Sequence, residues 1–309
     1  LLLFLAATGA ITAIGRLVPR SVIRGVQLTT GILLLLKGVS FVLGESPLQQ
    51  ARGLTEPFLA VQALGPIPIG LVIGVGAFLT ILLLLENRIA PAALVVVLAG
   101  AVLGLLLGGH RALADLTPGL HLPVLLPYGV PDTATLVVGL TVLALPQVPM
   151  TIGNAVVAQS DLSQEYFGAE ARRCTTRALA VSMGLANVAC ALFGAMPLCH
   201  GAGGLAAHYR FGARTAGANL MIGLLFVAAG LFVGDDGARL LGVLPLSALG
   251  ALLVFAGAQL AMMIKDVSER RDLFVVVLLL GVSMATNLAV GFAVGIVLAY
   301  ALRHPRLKV

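Results

Sequence analysis

The sequence predicts an all-α multispanning membrane protein, and three observations carry that prediction. Hydrophobic residues make up 59% of the 309 residues and charged residues only 10%, where a soluble domain carries about 25% charged, so the chain cannot clothe itself in polar surface. Its apolar stretches run to about twenty residues, the length a helix needs to cross a bilayer. The charges fall in small clusters between those stretches. A net charge of +6 therefore reports orientation across the membrane and not nucleic-acid binding. The three cysteines, Cys174, Cys190 and Cys199, are odd in number and lack metal-type spacing, so no disulfide framework is expected.

The elements follow in order. Residues 1–14 are too few to span about 30 Å of hydrocarbon, and no basic stretch precedes them as in a signal peptide. They are expected to be the end of a crossing that begins before Leu1. Residues 22–43 form the next apolar run, interrupted by Arg24, Gln27 and Lys37. Residues 65–85 open on Pro66 and Pro68, which a first helical turn tolerates. Residues 89–107 lead into a Gly- and Pro-rich loop at 108–131, and the run 133–158 is broken by Pro146 and Pro149. Residues 174–193 span, the short glycine-rich run 195–207 follows, and 215–233 and 240–264 both span. The last stretch, 273–302, is long enough for two short helices and is interrupted near Asn287.

Basic residues decide the number of crossings. With the chain starting outside and the last stretch crossing twice, the inner loops hold Arg16, Arg20, Arg24, Arg88, Arg172, Arg173, Arg177, Arg210, Arg214, Lys265, Arg270, Arg271, Arg303, Arg306 and Lys308. The outer loops hold Arg52, Arg111 and Arg239, and Lys37 lies within a span, which accounts for all 19. A single crossing at the end would move three of them outside. The positive-inside rule thus favours eleven crossings and a cytoplasmic C-terminus.

The thirteen Asp and Glu lie in loops or at span ends, Glu86 closing one helix and Asp161 following another. A carboxylate at mid-membrane is the usual device for handling protons or cations, so its absence from the spans suits an anion. Lys37 is expected to snorkel to the outer interface. Arg172-Arg173 and the cluster 265–272 read as solvated determinants of topology.

Two stretches break the pattern of a plain span, and irregular backbone at membrane depth is tolerated only where protein or a cavity receives it. In ALPQVPMTIGNA, residues 144–155, two prolines unwind the helix, and Gln147, Thr151 and Asn154 then recur at helical spacing. They either bridge to neighbouring helices or face a ligand. In GAMPLCHGAGGL, residues 194–205, an extended piece ending at Pro197 is followed by small residues. That suits a helix starting in mid-membrane, whose unpaired N–H groups and dipole favour an anion. Close helix packing through small residues is the other reading. His200 and His208 lie about two turns apart with no acidic residue between them, which speaks against a metal. Cys199 and His200 are neighbours, and helical neighbours point about 100° apart, poor geometry for a nucleophile and its base.

The strings ALPQVPMTIGNAVVAQSDL and GAMPLCHGAGGLAAHYRFGART, with the earlier RLVPRSVIRGVQLTTGILLLLKG, resemble the signatures of the molybdate transporter family within the sulfate permease superfamily. The resemblance covers essentially the whole chain. It implies a uracil-permease-like fold of fourteen segments in two inverted repeats, a core domain rocking against a gate domain, of which about eleven segments are in this sequence. On that template residues 1–18 end core segment 4, and 22–107 are gate segments 5–7. Residues 133–233 are core segments 8–11 with the substrate site, 240–302 are gate segments 12–14, and no C-terminal regulatory domain follows. The implied function is secondary active import of molybdate, a tetrahedral dianion, by alternating access, with no enzyme activity and no cofactor. The anion is expected at the half-helix of segment 10, held by Cys199, His200, Gly201, Ala202 and Gly203, with Gln147, Thr151 and Asn154 adding neutral donors from segment 8. Sulfate or a broader oxyanion range including tungstate is the nearest alternative; an anion channel and an intramembrane enzyme are more distant. The resemblance further implies a multi-pass protein of the cell (inner) membrane and a homodimer.

Overall fold

The computed structural model describes all residues except 86, 88, 89, 110–112, 114, 115, 117, 118, 145, 146, 149, 150, 238–240, 305, 306, 308 and 309. The expected break at Pro146 and Pro149, and the charges of Glu86, Arg88, Arg111, Arg239, Arg306 and Lys308, lie outside the described residues.

The chain is helical nearly throughout. α1 (Leu2–Ala7) and α2 (Ala10–Leu17) are separated at Gly9, whose φ of 75° ends the first turns, so the opening run is two short helices and not one. α3 (Arg20–Leu43) follows, then α4 (Pro47–Arg52). Ser46 and Gln49 begin α4 with a reciprocal capping box, each side chain accepting from the other's backbone N–H. A two-residue antiparallel pair, β1 (Ala63–Leu64) and β2 (Ile67–Pro68), leads into α5 (Ile69–Leu84) and α6 (Ala92–Gly104). α7 (Thr133–Val138) starts on the Asp132 side chain, which accepts from Thr135 N at 2.8 Å, and widens into π-type turns over Gly139–Ala144. A second π-type stretch, Thr151–Ala158, runs on without a break into α8 (Gln159–Phe167), so this helix ends later than the hydropathy suggests. α9 (Thr176–Leu192), α10 (Ala202–Arg210), α11 (Ala216–Val233) and α12 (Leu246–Ala261) follow. The last apolar stretch divides into α13 (Arg270–Ala285) and α14 (Leu288–Ala301), where Asn287 caps α14 by accepting from Val290 N at 3.0 Å.

Among the described residues three helices are long and apolar enough to cross a membrane: Arg20–Arg52, Ala216–Val233 and Leu246–Asp266. Thr151–Arg173 and Thr176–Leu192, bent by 81°, make a fourth if counted as one broken span, and Ile69–Leu84, Ala92–Gly108 and Leu288–Ala301 are shorter apolar helices. α11 buries none of its residues against the protein, as a helix facing lipid requires. The chain is an all-α membrane protein.

Its residues divide into two compact units. One comprises 1–32, 124–206 and 259–309. Here α13 and α14 pack through small residues: an added Cβ on Gly295 or on Gly25 of α3 would lie 2.7 Å or 2.9 Å from the side chain of Leu279, and Leu279 is fully buried. Gly184 of α9 likewise admits Leu3 of α1. The same unit buries Arg24, which donates to Asp161 at 2.6 Å, Glu165 at 2.8 Å, Asp266 at 2.5 Å and the Gln27 amide oxygen at 2.8 Å. Arg20 joins at Asp266. Arg24 is therefore not a solvated topology marker, and the partly exposed Asp266 is tied to it. A guanidinium only one turn inside a packed helix has to be neutralised where it sits, and three carboxylates converge to do so.

The other unit comprises 33–123 and 207–258. Its core gathers Ile69, Ile73, Ile81, Val96, Ala251 and Phe255. α3 and α12 cross at Gly38 and Gly250, where an added Cβ on either would come within 2.6 Å of the other's carbonyl oxygen. Only glycine lets two helix backbones meet so closely. Glu56 lies in a loop, as its sequence position indicates, yet it is fully buried. Its carboxylate accepts from Leu246 N at 2.9 Å and Ser247 N at 2.8 Å, and from the Ser247 hydroxyl. These are the opening N–H groups of α12, where a negative charge is favoured.

Candidate functional site

The candidate site is built from three pieces of the first unit: α9, the segment after it, and the π-type stretch Thr151–Ala158. α9 ends in a Schellman turn: Gly194 N donates to Ala191 O, Ala195 N donates to Cys190 O at 2.8 Å, and Gly194 has a φ of 64°. The chain then runs without regular secondary structure through 195–201 and turns helical at Ala202. The half-helix expected just after Pro197 therefore begins later. The reason is Asn187 of α9, whose amide oxygen accepts from Leu198 N at 2.9 Å and whose amide nitrogen donates to Leu198 O at 2.9 Å. One side chain pairs both polar groups of Leu198 as a neighbouring strand would, which holds the segment out of helix. Two residues on, His200 Nε2 lies 2.8 Å from Ser182 Oγ, also on α9.

Gly204 N bonds Gly201 O at 3.0 Å, closing the first turn of α10. The N–H groups of Ala202 and Gly203 then have no intrahelical acceptor. Beside this turn stands Asn154. It is 8% exposed and its Oδ1 has no hydrogen-bond partner. A Cβ on Gly201 would lie 3.8 Å from Asn154 Nδ2, so Gly201 brings the amide against the start of α10. The unmet atom is an amide oxygen, which can only accept; left unpaired it costs about 1–3 kcal/mol and calls for a donor, not for an anion's oxygen.

The expected site residues are distributed unevenly. Asn154 and Gly201 meet, Ala202 and Gly203 are buried, His200 is half-buried and Cys199 is exposed. Thr151 is half-buried one turn before Asn154, while Gln147 is exposed and makes no bond to the segment among the described residues. Ser182 and Asn187 escaped the sequence reading. Their only signal is that they are polar residues in the middle of an otherwise apolar 17-residue helix. Among the described residues, no carboxylate oxygen comes within 4.0 Å of a His200 ring nitrogen. The arrangement offers neutral donors, a helix N-terminus and one imidazole, without an acidic partner that would organise a cation or a hydrolytic triad.

Helices long and apolar enough to cross a membrane, with one bent pair among them, suit a membrane transporter, and comparison with known proteins agrees. The family described as "Molybdate transporter of MFS superfamily" matches residues 139–260, which include both irregular stretches from the π-type helix to α10. Molybdate transporter 2 of Arabidopsis thaliana is 31% identical over 334 aligned residues, covering 98% of this chain and 69% of that protein. Molybdate transporter 1 of Chlamydomonas reinhardtii is 39% identical over 214 residues, covering 67% of this chain and 40% of that protein. Molybdate transporter 1 of A. thaliana is 39% identical over 151 residues, 49% of this chain and 33% of that protein. The chain belongs to the molybdate transporter family; it is a transporter and not an enzyme.

Proposed function

We propose that this protein is a secondary active transporter that imports molybdate by alternating access, with the anion bound where Asn154 meets the N-terminus of α10. The single observation that carries the reading is the start of α10 at Ala202, whose opening N–H groups lack an intrahelical acceptor, with the Asn154 amide nitrogen 3.8 Å from where a Cβ on Gly201 would lie. Neutral donors and a helix dipole can hold a dianion by charge-assisted hydrogen bonds without a full counter-charge. Cys199, His200 and Gly201 lead into that turn, and Thr151 and Gln147 extend the donor set along the preceding helix. The wider reading places the chain in the sulfate permease superfamily, with core and gate domains of a uracil-permease-like fold, in the cell membrane with its C-terminus cytoplasmic and paired as a homodimer. Support for the orientation is the excess of Lys and Arg in the inner loops.

The test is uptake. The full-length gene is expressed in cells lacking their own molybdate importer, and labelled molybdate is followed at nanomolar concentration with excess sulfate or tungstate as competitor. Saturable uptake that survives sulfate is expected, with His200→Ala and Asn154→Ala lowering uptake far more than the amount of protein in the membrane. Uptake abolished by sulfate makes the protein a general oxyanion permease. Non-saturating flux makes it a channel.

A further inference from the structure

The second unit holds a cavity of about 600 Å³ between the turn that joins α5 to α6 and the turn that follows α10. Asn87, Ala92, Arg210 and Arg214 line it together with the apolar Leu85 and Phe211, and no described carboxylate does. The count of basic residues puts both turns on the inner face, and here they meet around one space. Arg210 is the last residue of α10 and Arg214 lies in the turn after it. The Arg214 guanidinium carbon is 3.6 Å from the centroid of the Tyr209 ring, and that of Arg210 is 5.9 Å from the centroid of Phe255. Stacking occupies the face of a guanidinium and leaves its in-plane N–H fork to donate. Among the described residues neither arginine has an ion-pair partner, and the buried Nε of Arg210 has no acceptor. The opening of α6 adds the same polarity. Its N-cap, Pro91, supplies no side-chain bond, and the helix closes with Val95 N donating to Pro91 O. The N–H groups of Ala92, Ala93 and Leu94 are thus left without an intrahelical acceptor.

We propose that this cavity is a phosphate site, and that it takes the headgroup of an anionic phospholipid of the inner leaflet. Two guanidinium forks and a helix N-terminus match the tetrahedral oxygens and the negative charge of a phosphate. Free inorganic phosphate shares that chemistry, and size separates the two. A bare tetrahedral oxyanion fills a small part of 600 Å³, a volume in the range of sites for much larger ligands. Leu85, Pro91 and Phe211 give the remaining space apolar walls, which suit the glycerol backbone and the first methylenes of a lipid. Anionic lipids are also the phosphate source that the inner membrane surface supplies, and basic side chains there attract them. None of the lining residues is among those assigned to the transported oxyanion, so the proposal does not depend on where molybdate binds.

The experiment uses the full-length protein without molybdate, in nanodiscs of equal parts phosphatidylglycerol and phosphatidylcholine. Native mass spectrometry of the released protein counts which lipid stays bound, and inorganic phosphate is titrated calorimetrically in nanodiscs of phosphatidylcholine alone. Wild type is expected to retain phosphatidylglycerol in preference to phosphatidylcholine. Arg210→Gln and Arg214→Gln should each lower that preference about fivefold, the equivalent of about 1 kcal/mol per basic side chain near an anionic surface. Arg210→Lys keeps the charge without the fork and should fall between wild type and Arg210→Gln, which separates loss of the site from loss of folding. Arg271→Gln removes the same charge from an exposed position on α13 and should leave the preference unchanged. No preference for phosphatidylglycerol, or a preference lowered as much by Arg271→Gln as by the two cavity variants, overturns the lipid site. Calorimetric binding of inorganic phosphate that both cavity variants abolish, with no lipid preference, overturns the lipid assignment in favour of free phosphate. Failure of molybdate uptake in the same protein bears on the transport reading alone and leaves these outcomes as they stand.

Discussion

Arg24 is 1% exposed, and its guanidinium faces three carboxylates whose side chains keep 30%, 42% and 31% exposure at Asp161, Glu165 and Asp266. Replacing it with Gln removes the shared cation and leaves the three anions facing one another. Removing one member of a buried ion pair costs about 3–5 kcal/mol. Because water reaches each carboxylate here, the lower end applies, about 3 kcal/mol. Asp161→Asn is a different perturbation: Arg24 keeps Glu165 and Asp266, and the amide still accepts a hydrogen bond, so the loss should be about 1 kcal/mol. Arg24→Lys should fall between them, because an ammonium cannot reach three partners at once as the planar fork does. Thermal unfolding in detergent, followed by loss of the monodisperse peak, should place the variants in that order, with Arg24→Gln lower in Tm by on the order of 5–10 °C. A loss below about 1 kcal/mol for Arg24→Gln, or an Asp161→Asn variant as unstable as Arg24→Gln, refutes the claim that the cluster is a shared charge and not a set of surface pairs.

Three further outcomes are expected. Burial pushes the Glu56 carboxyl above its usual 4.5 against the opposing pull of its bonds from Ser247 and Leu246. A raised acid contributes stability that is complete below the unfolded pKa and is lost as pH rises through the folded one. The stability of wild type relative to Glu56→Gln should therefore decline from below about pH 4.5 towards neutrality, and a constant difference across that range contradicts the burial. Gly250→Ala puts a methyl within 2.6 Å of Gly38 O and should cost about 1–3 kcal/mol by overpacking, read as a lowered Tm, whereas Gly76→Ala, with open space around it, should cost nothing measurable. Asn187→Ala breaks both bonds to Leu198 and should lose about 1–2 kcal/mol. It should also speed maleimide labelling of Cys199, and an unchanged labelling rate shows that the segment before α10 does not depend on Asn187.

The helices were legible because their signal is long and uniform. Residues 22–43 and 215–233 were bounded within two residues by hydropathy alone, against α3 at Arg20–Leu43 and α11 at Ala216–Val233. Asn287 revealed the division of the last stretch, since a polar residue that caps helices stands out in a thirty-residue apolar run. The start of α10 was misplaced because Pro197 marks where a helix cannot run, whereas it is Asn187, on another element and eleven residues before Leu198, that pairs Leu198 and delays the helix. The Arg24 cluster stayed hidden for the same kind of reason. Its members are 137, 141 and 242 residues from Arg24, and charge counting treats each as a solvated marker of sidedness. Hydropathy reports what faces lipid; it is silent on which polar groups find one another.

The two charge centres of the first unit divide the chemistry between them. A buried guanidinium is the obvious counter-ion for a dianion, and Arg24 is the only arginine or lysine that is fully buried among the described residues. Its donors, however, are taken by three carboxylates and the Gln27 amide, and an oxyanion brought there would meet more negative charge than positive. The N-terminus of α10 has the opposite character: opening N–H groups without an intrahelical acceptor and no fixed charge. A site without fixed charge leaves the dianion's full charge to cross the membrane, at about 2.3 kcal/mol per charge for each 100 mV of inside-negative potential. A permanent positive charge in the place of His200 would bind the anion tightly on both sides and release it on neither, so His200→Arg is expected to raise affinity for molybdate and lower turnover.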